Sequence, residues 1–339
     1  MSDKEKTIDF VIAWVDGNDP AWIEKRNKFR EDAGDDVRSE RFRDFGTLKY
    51  LLRGIDVYAP WVRKVHLVTE GHLPEWLNTE CEKLSVVKHE DFMPAELLPT
   101  FNSNSFEMYL HKIPGLSDKF VYFNDDMIIL NNIYENDFFV GDKPKDMLAF
   151  QPVVANPYNP VMSNILLNVS LVISRHFDKR ENVKKNISGY YHIGYPLMYF
   201  VYNILELAFP LYTGFYTVHG ASPLLKSTYE ELWEKERDTL YATAKNRFRS
   251  KDDVTQYLFR EWEKQKGNFV PANLHKNFKY FEIKDDNSKL LSFISKKKIK
   301  MICINDSSKE VDYEKARKEV IAALEKCLPV KSSFEKTNE

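Results

Sequence analysis

The chain has 339 residues, 43% of them hydrophobic, which is enough apolar content to bury a large core and too much for a disordered protein. Its 49 basic and 51 acidic residues nearly cancel, and this excludes the basic excess of a general nucleic-acid binder. Cys81, Cys303 and Cys327 stand far apart with no CxxC pair, so neither a disulfide framework nor a zinc site is expected and a reducing cytoplasm fits.

The N-terminus, MSDKEKTIDF, is charged where a signal peptide carries an apolar core, so secretion is not expected. Ile8 to Val15 (IDFVIAWV) is a near-continuous apolar run closed by Asp16-Gly17-Asn18-Asp19-Pro20, which predicts a buried strand followed by a polar turn. A charged helical stretch from Trp22 to Arg38 follows. In TLKYLLRGIDVY, residues 47 to 58, Leu48, Leu51, Leu52 and Ile55 recur at helical spacing ahead of Pro60. Short strands are predicted at Lys64 to Thr69 and Leu84 to Lys88, with a proline-containing helical piece at Pro74 to Leu77 between them. The run Lys119 to Phe123 is a fourth strand, ending in Asn124-Asp125-Asp126. Strands alternating with helices predict an α/β fold with a mostly parallel central sheet, which gathers ligands beyond the carboxyl ends of its strands.

Residues 131 to 160 are turn-rich. A helix is predicted over Met162 to Phe177. The apolar, aromatic stretch Ile193 to Val218 is interrupted by Asn203, Glu206 and Pro210, so it reads as buried helix plus strand rather than a membrane span. Helices are expected over Lys226 to Phe248 and Val254 to Lys266. A last strand, Ile299 to Ile304, runs into Asn305-Asp306, and a helix over Tyr313 to Leu328 precedes a polar tail expected to fray. The expected organisation is an α/β half over residues 1–150, a helix-rich half over 151–330 that completes the core, and the tail 331–339.

One design occurs twice: YFNDD at Tyr122 to Asp126 and CIND at Cys303 to Asp306 each place Asn-Asp directly after a hydrophobic strand. Carboxylates at strand ends supply the hard oxygen ligands that Mg²⁺ and related cations prefer. Strand pleating keeps Asp125 and Asp126 from pointing the same way, which leaves either as the ligand. His192 precedes Gly194 and Pro196 at the entry to an apolar helix, where an imidazole can serve as a general base. Arg247 and Arg249, in NRFRSKDDV, precede a helix start that Ser250 or Asp252 can cap, a natural phosphate cradle. In FNSNSFEMYLHKIPG, Asn104, Glu107 and His111 fall near one helix face, next to the Asn-Asp-Asp strand.

IDFVIAWVDGNDPAW, LKYLLRGIDVYAPWVRKVHLVTEGHLPEWLN, FNSNSFEMYLHKIPGLSDKFVYFNDDM and the late CIND together resemble the conserved regions of the Stealth family. Its members include bacterial capsular and receptor-polysaccharide phosphotransferases and the animal lysosomal-enzyme N-acetylglucosamine-1-phosphotransferase. The resemblance implies transfer of hexose-1-phosphate or N-acetylhexosamine-1-phosphate from a UDP-sugar to a glycan hydroxyl, with release of UMP. It also implies Mg²⁺ or Mn²⁺ on a glycosyltransferase-A-like α/β core. The metal and catalytic aspartates fall on Asp125 or Asp126 and on Asp306. The catalytic histidine corresponds to His192, with Ile193-Gly194-Tyr195 before Pro196, and the catalytic arginine to Arg249, with Arg247 beside it. Trp14, Asp16, Gly17, Asn18 and Asp19 match a nucleotide-side loop, and Arg53 matches a basic position of the first helix of the second region. Asn104, Glu107, His111 and Asn124 match the polar helix and metal motif. The implied acceptor is an oligosaccharide, lipid-linked at the inner membrane face and reached by at most peripheral contact. A glycosyltransferase releasing UDP and a non-catalytic glycan-binding protein are the rival readings.

Overall fold

The computed structural model describes residues 8–29, 42–306 and 311–337. In chain order its strands are β1 (Ile8–Ala13), β2 (Val65–Thr69), β3 (Leu84–Lys88), β4 (Lys119–Asn124), β5 (Met127–Ile129), β6 (Phe139–Val140), β7 (Lys143–Asp146), β8 (Ser222–Leu225), β9 (Val270–Pro271), β10 (Phe278–Glu282) and β11 (Met301–Asn305). The central sheet has the order β3-β2-β1-β4-β8. Its first four strands are parallel and β8 runs antiparallel to β4. β1 is buried on both faces, as its unbroken apolar run predicts. Phe10 and Ile12 enter one core with Val121 and Phe123, whereas Val11 enters the other with Phe120 and Tyr122.

The helix Leu48–Tyr58 covers the first face with Leu48, Leu51, Leu52 and Ile55, all buried. Much of the second face is covered by the helices Pro160–His176, Lys226–Lys235, Arg237–Lys245 and Tyr257–Lys266. The expected helix Lys226 to Phe248 is therefore two. They part at Glu236, whose carboxylate is held by Arg175, His176 and Thr239. The helical piece expected at Pro74 to Leu77 is instead a turn, because this stretch is drawn into extended pairing with the end of the chain. Leu77 bridges Glu335, Asn78 N–H donates to Phe334 O, and Lys336 N–H donates to Trp76 O.

The tail expected to fray is consequently anchored: Phe334 and Glu335 are buried. Arg53, also buried, donates from Nε and Nη2 to the Glu335 carboxylate at 2.8 and 3.0 Å, and from Nη1 to Glu325 and to Leu328 O. The nucleotide-binding role expected for Arg53 is thereby corrected, because its donors are committed to closing the C-terminus onto the sheet. Removing one member of a buried pair strands the other charge, so Arg53→Ala should cost about 3–5 kcal/mol in urea unfolding, with KM for donor unchanged. Burial alone would raise the Glu335 carboxyl, but hydrogen bonds from Arg53 and Ser332 N–H outweigh it and hold it low. A depressed folded value means the clasp is fully effective above the unfolded carboxylate range and weakens as pH falls through the folded value.

The late strand does not join the central sheet. β11 lies between β10, parallel, and β5, antiparallel, in a second sheet, while β6, β7 and β9 form a third. Because β5 begins three residues after Asn124, the second sheet brings the end of β11 to the end of β4.

The stretch Ile193 to Val218, expected as buried helix plus strand, also differs. Its helix Leu197–Glu206 turns Tyr199, Asn203 and Glu206 inward and leaves its aliphatic residues exposed. The inner polar groups are satisfied: Asn203 accepts from Phe150 N–H and donates to Tyr190 O, and Glu206 pairs with buried Lys179 at 3.1 Å. Among the described residues, no helix is long and apolar enough to cross a membrane.

Candidate active site

The two Asn-Asp motifs meet. Cys303 pairs with Met127 across β11 and β5, and Ile304 N–H donates to the carbonyl of Asp126 at 2.8 Å. Beyond the strand ends opens a cleft of about 950 Å³ whose lining includes Asn124 from β4, Asn305 from β11, Asn104, Glu107, Arg249 and His219.

Asp126 is the focus of the charged groups. Its Oδ2 accepts from Cys303 Sγ at 3.1 Å and lies 3.9 Å from His219 Nε2, and among the described residues its buried Oδ1 has no hydrogen-bond partner. Ligand atoms of Asp126, His219 and Cys303 all lie within 4.8 Å of one another. Burial pushes the Cys303 thiol well up, and the neighbouring Asp126 charge adds to this, so in the absence of a cation the sulfur is a thiol that donates to Asp126. Burial likewise raises Asp125, with further repulsion from Asp44 and Asp126. Asp44 is raised by burial and by Asp16. Four carboxylates, Asp16, Asp44, Asp125 and Asp126, thus crowd the end of β1 and β4. An orphaned buried oxygen among mutually repelling carboxylates fits a hard divalent cation.

Asp306 follows Asn305 on the same strand end, but its carboxylate engages Arg43 Nε at 2.7 Å, and the Arg43 guanidinium lies over the Tyr313 ring. The β1 end carries the expected polar loop. Asp16 accepts from Asn18 N–H, and Asp19 caps the helix Pro20–Lys28 through Trp22 N–H at 2.7 Å. Gly17 packs so tightly that a Cβ would meet Phe42 O at 1.9 Å, a close approach only glycine permits. Trp14 and Asp44 line a smaller cavity of about 190 Å³ beside this loop.

His192 is not among the residues lining the cleft. Its Nδ1 accepts from Gly194 N–H and its ring packs on Tyr195, at the head of the exposed helix. The histidine at the strand ends is His219. Its Nδ1 lies 2.6 Å from the Tyr257 hydroxyl, and burial holds that phenol protonated. His219 was legible only weakly: like His192 it has a proline four residues on, Pro223. What distinguishes it is the strand β8 that begins at Ser222 and pairs with the Asn-Asp-Asp strand β4.

Arg249 lies on the cleft, and its Nη2 donates to Ser103 Oγ at 2.7 Å, but the helix start expected at Ser250 or Asp252 is absent, the helix beginning only at Tyr257. The loop that carries Arg249 is tied down by Asp253, which the sequence reading passed over in favour of Ser250 and Asp252. Buried Asp253 accepts from Asn246, Asn102, Asn104 and Ser250 N–H. Arg247, on the same loop, has its guanidinium over the Phe29 ring. Glu107 accepts from Tyr122 Oη, Thr255 Oγ1 and Gln256 N–H, joining the short helix Ser103–Glu107 to the Tyr257 helix. His111 does not share its face. The helix ends at Glu107 and a separate 3₁₀ turn, Leu110–Lys112, turns His111 into the core. There it stacks on Tyr229, and burial pushes its imidazole down to about 3, which corrects its assignment to the donor site.

Residues 6–34 match the Stealth protein CR1, conserved region 1, and residues 41–147 the Stealth protein CR2, conserved region 2. A capsular polysaccharide phosphotransferase, WcwK of Streptococcus pneumoniae, is 38% identical over 97% of this chain and 98% of its own length. The receptor polysaccharide phosphotransferase WefC of Streptococcus gordonii is 35% identical over 97% and 98%. The exopolysaccharide phosphotransferase cps2G of Lactiplantibacillus plantarum is 35% identical over 97% and 96%. A solved structure of an active-site mutant of LgtC covers 93% of this chain and 95% of its own at 11% identity, with a TM-score of 0.39. On its near-full-length similarity to these relatives, the chain belongs to the Stealth family of phosphotransferases.

Proposed function

We propose that the enzyme transfers a sugar 1-phosphate from a UDP-sugar to a hydroxyl of a growing surface glycan, forming a phosphodiester and releasing UMP. The observation that carries this reading is the grouping of Asp126 with His219 where the two Asn-Asp strand ends meet, beside a cleft lined by Asn124, Asn305, His219 and Arg249. The acceptor oxygen attacks the β-phosphorus in line, the new P–O bond forms as the bridging P–O bond to UMP breaks, and the acceptor proton passes to His219 Nε2. With Nδ1–H donating to Tyr257 Oη, the Nε2 lone pair faces the reacting oxygen. Arg249 neutralises charge on the transferred phosphoryl group, and phosphoryl transfer depends on such positioning more than on covalent chemistry. Trp14 and Asp16 to Asp19 lie on the nucleotide side. Asp126, with Asp125 beside it, would hold Mg²⁺ or Mn²⁺, which supplies Lewis-acid neutralisation of the diphosphate; Asp306, expected as a second ligand, is instead held by Arg43. The acceptor in this reading is an oligosaccharide at the inner membrane face.

Incubation with a panel of UDP-sugars, Mg²⁺ or Mn²⁺ and acceptor oligosaccharide should release UMP in step with acceptor phosphorylation. Attack at the anomeric carbon would release UDP instead, which would reassign the protein as a glycosyltransferase. Absence of either nucleotide from every donor would remove the enzymatic reading of the cleft.

A further inference from the structure

Among the described residues, exposed large apolar side chains concentrate in one segment, from Ile187 to Leu211. Ile193 is 93% exposed, Leu197 78%, Leu205 60% and Leu211 70%. Met198, Val201, Ile204, Leu207 and Phe209 are exposed between them. The helix Leu197–Glu206 is inside out relative to an ordinary surface helix, with its polar stripe satisfied inward and its aliphatic stripe facing solvent. The only acid in this 187–211 segment is Glu206, and it is buried against Lys179. A soluble surface rarely leaves so large a contiguous apolar ridge uncovered.

A basic helix flanks the ridge. Lys179 donates to the carbonyls of Glu206, Phe209 and Leu211, which fastens the helix Lys179–Lys185 to the end of the apolar helix. Arg180, Lys184 and Lys185 of that helix are exposed. Against them stand Asp178, which caps the helix through Glu181 N–H, and Glu181, which pairs with Lys185 at 3.6 Å. A basic excess beside an apolar ridge, with half-buried Tyr191, Phe200 and Tyr202 at its base, is the make-up of a surface that lies in a bilayer interface. The chain leaves the ridge at Leu211 and runs directly into Phe215 to His219, which line the cleft. The exposed Val154 and Tyr158 stand at the cleft's rim.

From this geometry we infer that the ridge of residues 187–211 and the basic helix Lys179–Lys185 dock the enzyme on an anionic bilayer, which holds the cleft mouth at the lipid surface. Docking in this way is independent of the chemistry assigned to the cleft. The test is co-sedimentation of the full chain with vesicles of phosphatidylglycerol and phosphatidylcholine, compared with phosphatidylcholine alone. The wild type should bind the anionic vesicles, and binding should weaken with added salt. Combined Ile193→Ser, Leu197→Ser, Leu205→Ser and Leu211→Ser should lower partitioning at least about tenfold, and Lys184→Glu with Lys185→Glu should do so on anionic vesicles only, by about tenfold. All six positions are exposed, and UMP release with a water-soluble acceptor should be unchanged in both variants, separating loss of docking from loss of fold or chemistry. Failure of the wild type to bind either vesicle would overturn the inference. So would a concentration-dependent dimer in analytical ultracentrifugation that the serine substitutions dissociate, since a second copy would then cover the ridge.

Discussion

His219→Ala should lower kcat for UMP release by about 10²–10⁴-fold, the range general-base assistance supplies, with an unchanged thermal melt. The fold is insensitive to this change because the ring is partly exposed and its one short polar contact is with Tyr257. His192→Ala should leave kcat within about twofold, since its contacts are with Gly194 and Tyr195 beside the exposed helix and a group must come within hydrogen-bond reach of the proton it removes. Tyr257→Phe gives a finer reading. Tyr257 is a positioning residue, so its loss should lower kcat about tenfold while leaving donor KM in place. Initial rates of UMP formation for the three variants decide the matter. A His219→Ala enzyme that retains a near wild-type rate would return the base assignment to another group.

The assignment of the base to His192 shows where sequence reading stops. His192 and His219 each have a proline four residues on, so local pattern could not separate them. The distinction lies in pairing across a hundred residues: β8 adds to β4 and delivers His219 to Asp126. The strands β1 to β4 were legible because buried parallel strands write continuous apolar runs, and the doubled Asn-Asp motif was legible because both copies end such runs. That β11 would belong to a second sheet, hydrogen-bonded to the backbone of Asp126, could not be read from either copy alone.

Arg53 and the helix Leu197–Glu206 fail for a related reason. A basic residue in an early helix looks free for phosphate until Glu325 and Glu335, some 270 to 280 residues later, close on it. An apolar helix looks buried by its composition. Its orientation is decided by Lys179, Tyr190 and Phe150, partners that turn its two polar residues inward. In both cases satisfaction of buried polar groups overrode the pattern read from one element.

Asp126→Asn should cut UMP release by about 10³-fold, because cation-assisted charge neutralisation is worth several kcal/mol in the transition state. Its effect on stability should run the other way. Asp44 and Asp125 are pushed up by burial and by neighbouring carboxylates. An acid whose folded value is raised binds its proton more tightly when folded. Cation-free protein should therefore lose stability as pH rises from the unfolded carboxylate range through those folded values. Mg²⁺ or Mn²⁺ should restore it, by about 2–3 kcal/mol at a hundredfold excess over Kd, seen as a Tm rise of a few degrees. In Asp126→Asn one charge of the cluster is gone, so the cation-free Tm should equal or exceed that of the wild type, while the cation-induced rise disappears. Differential scanning fluorimetry with and without cation, paired with UMP assays in EDTA, separates the outcomes. A wild-type Tm indifferent to both cations, together with full activity in EDTA, would mean that these carboxylates hold no metal and crowd together for another purpose.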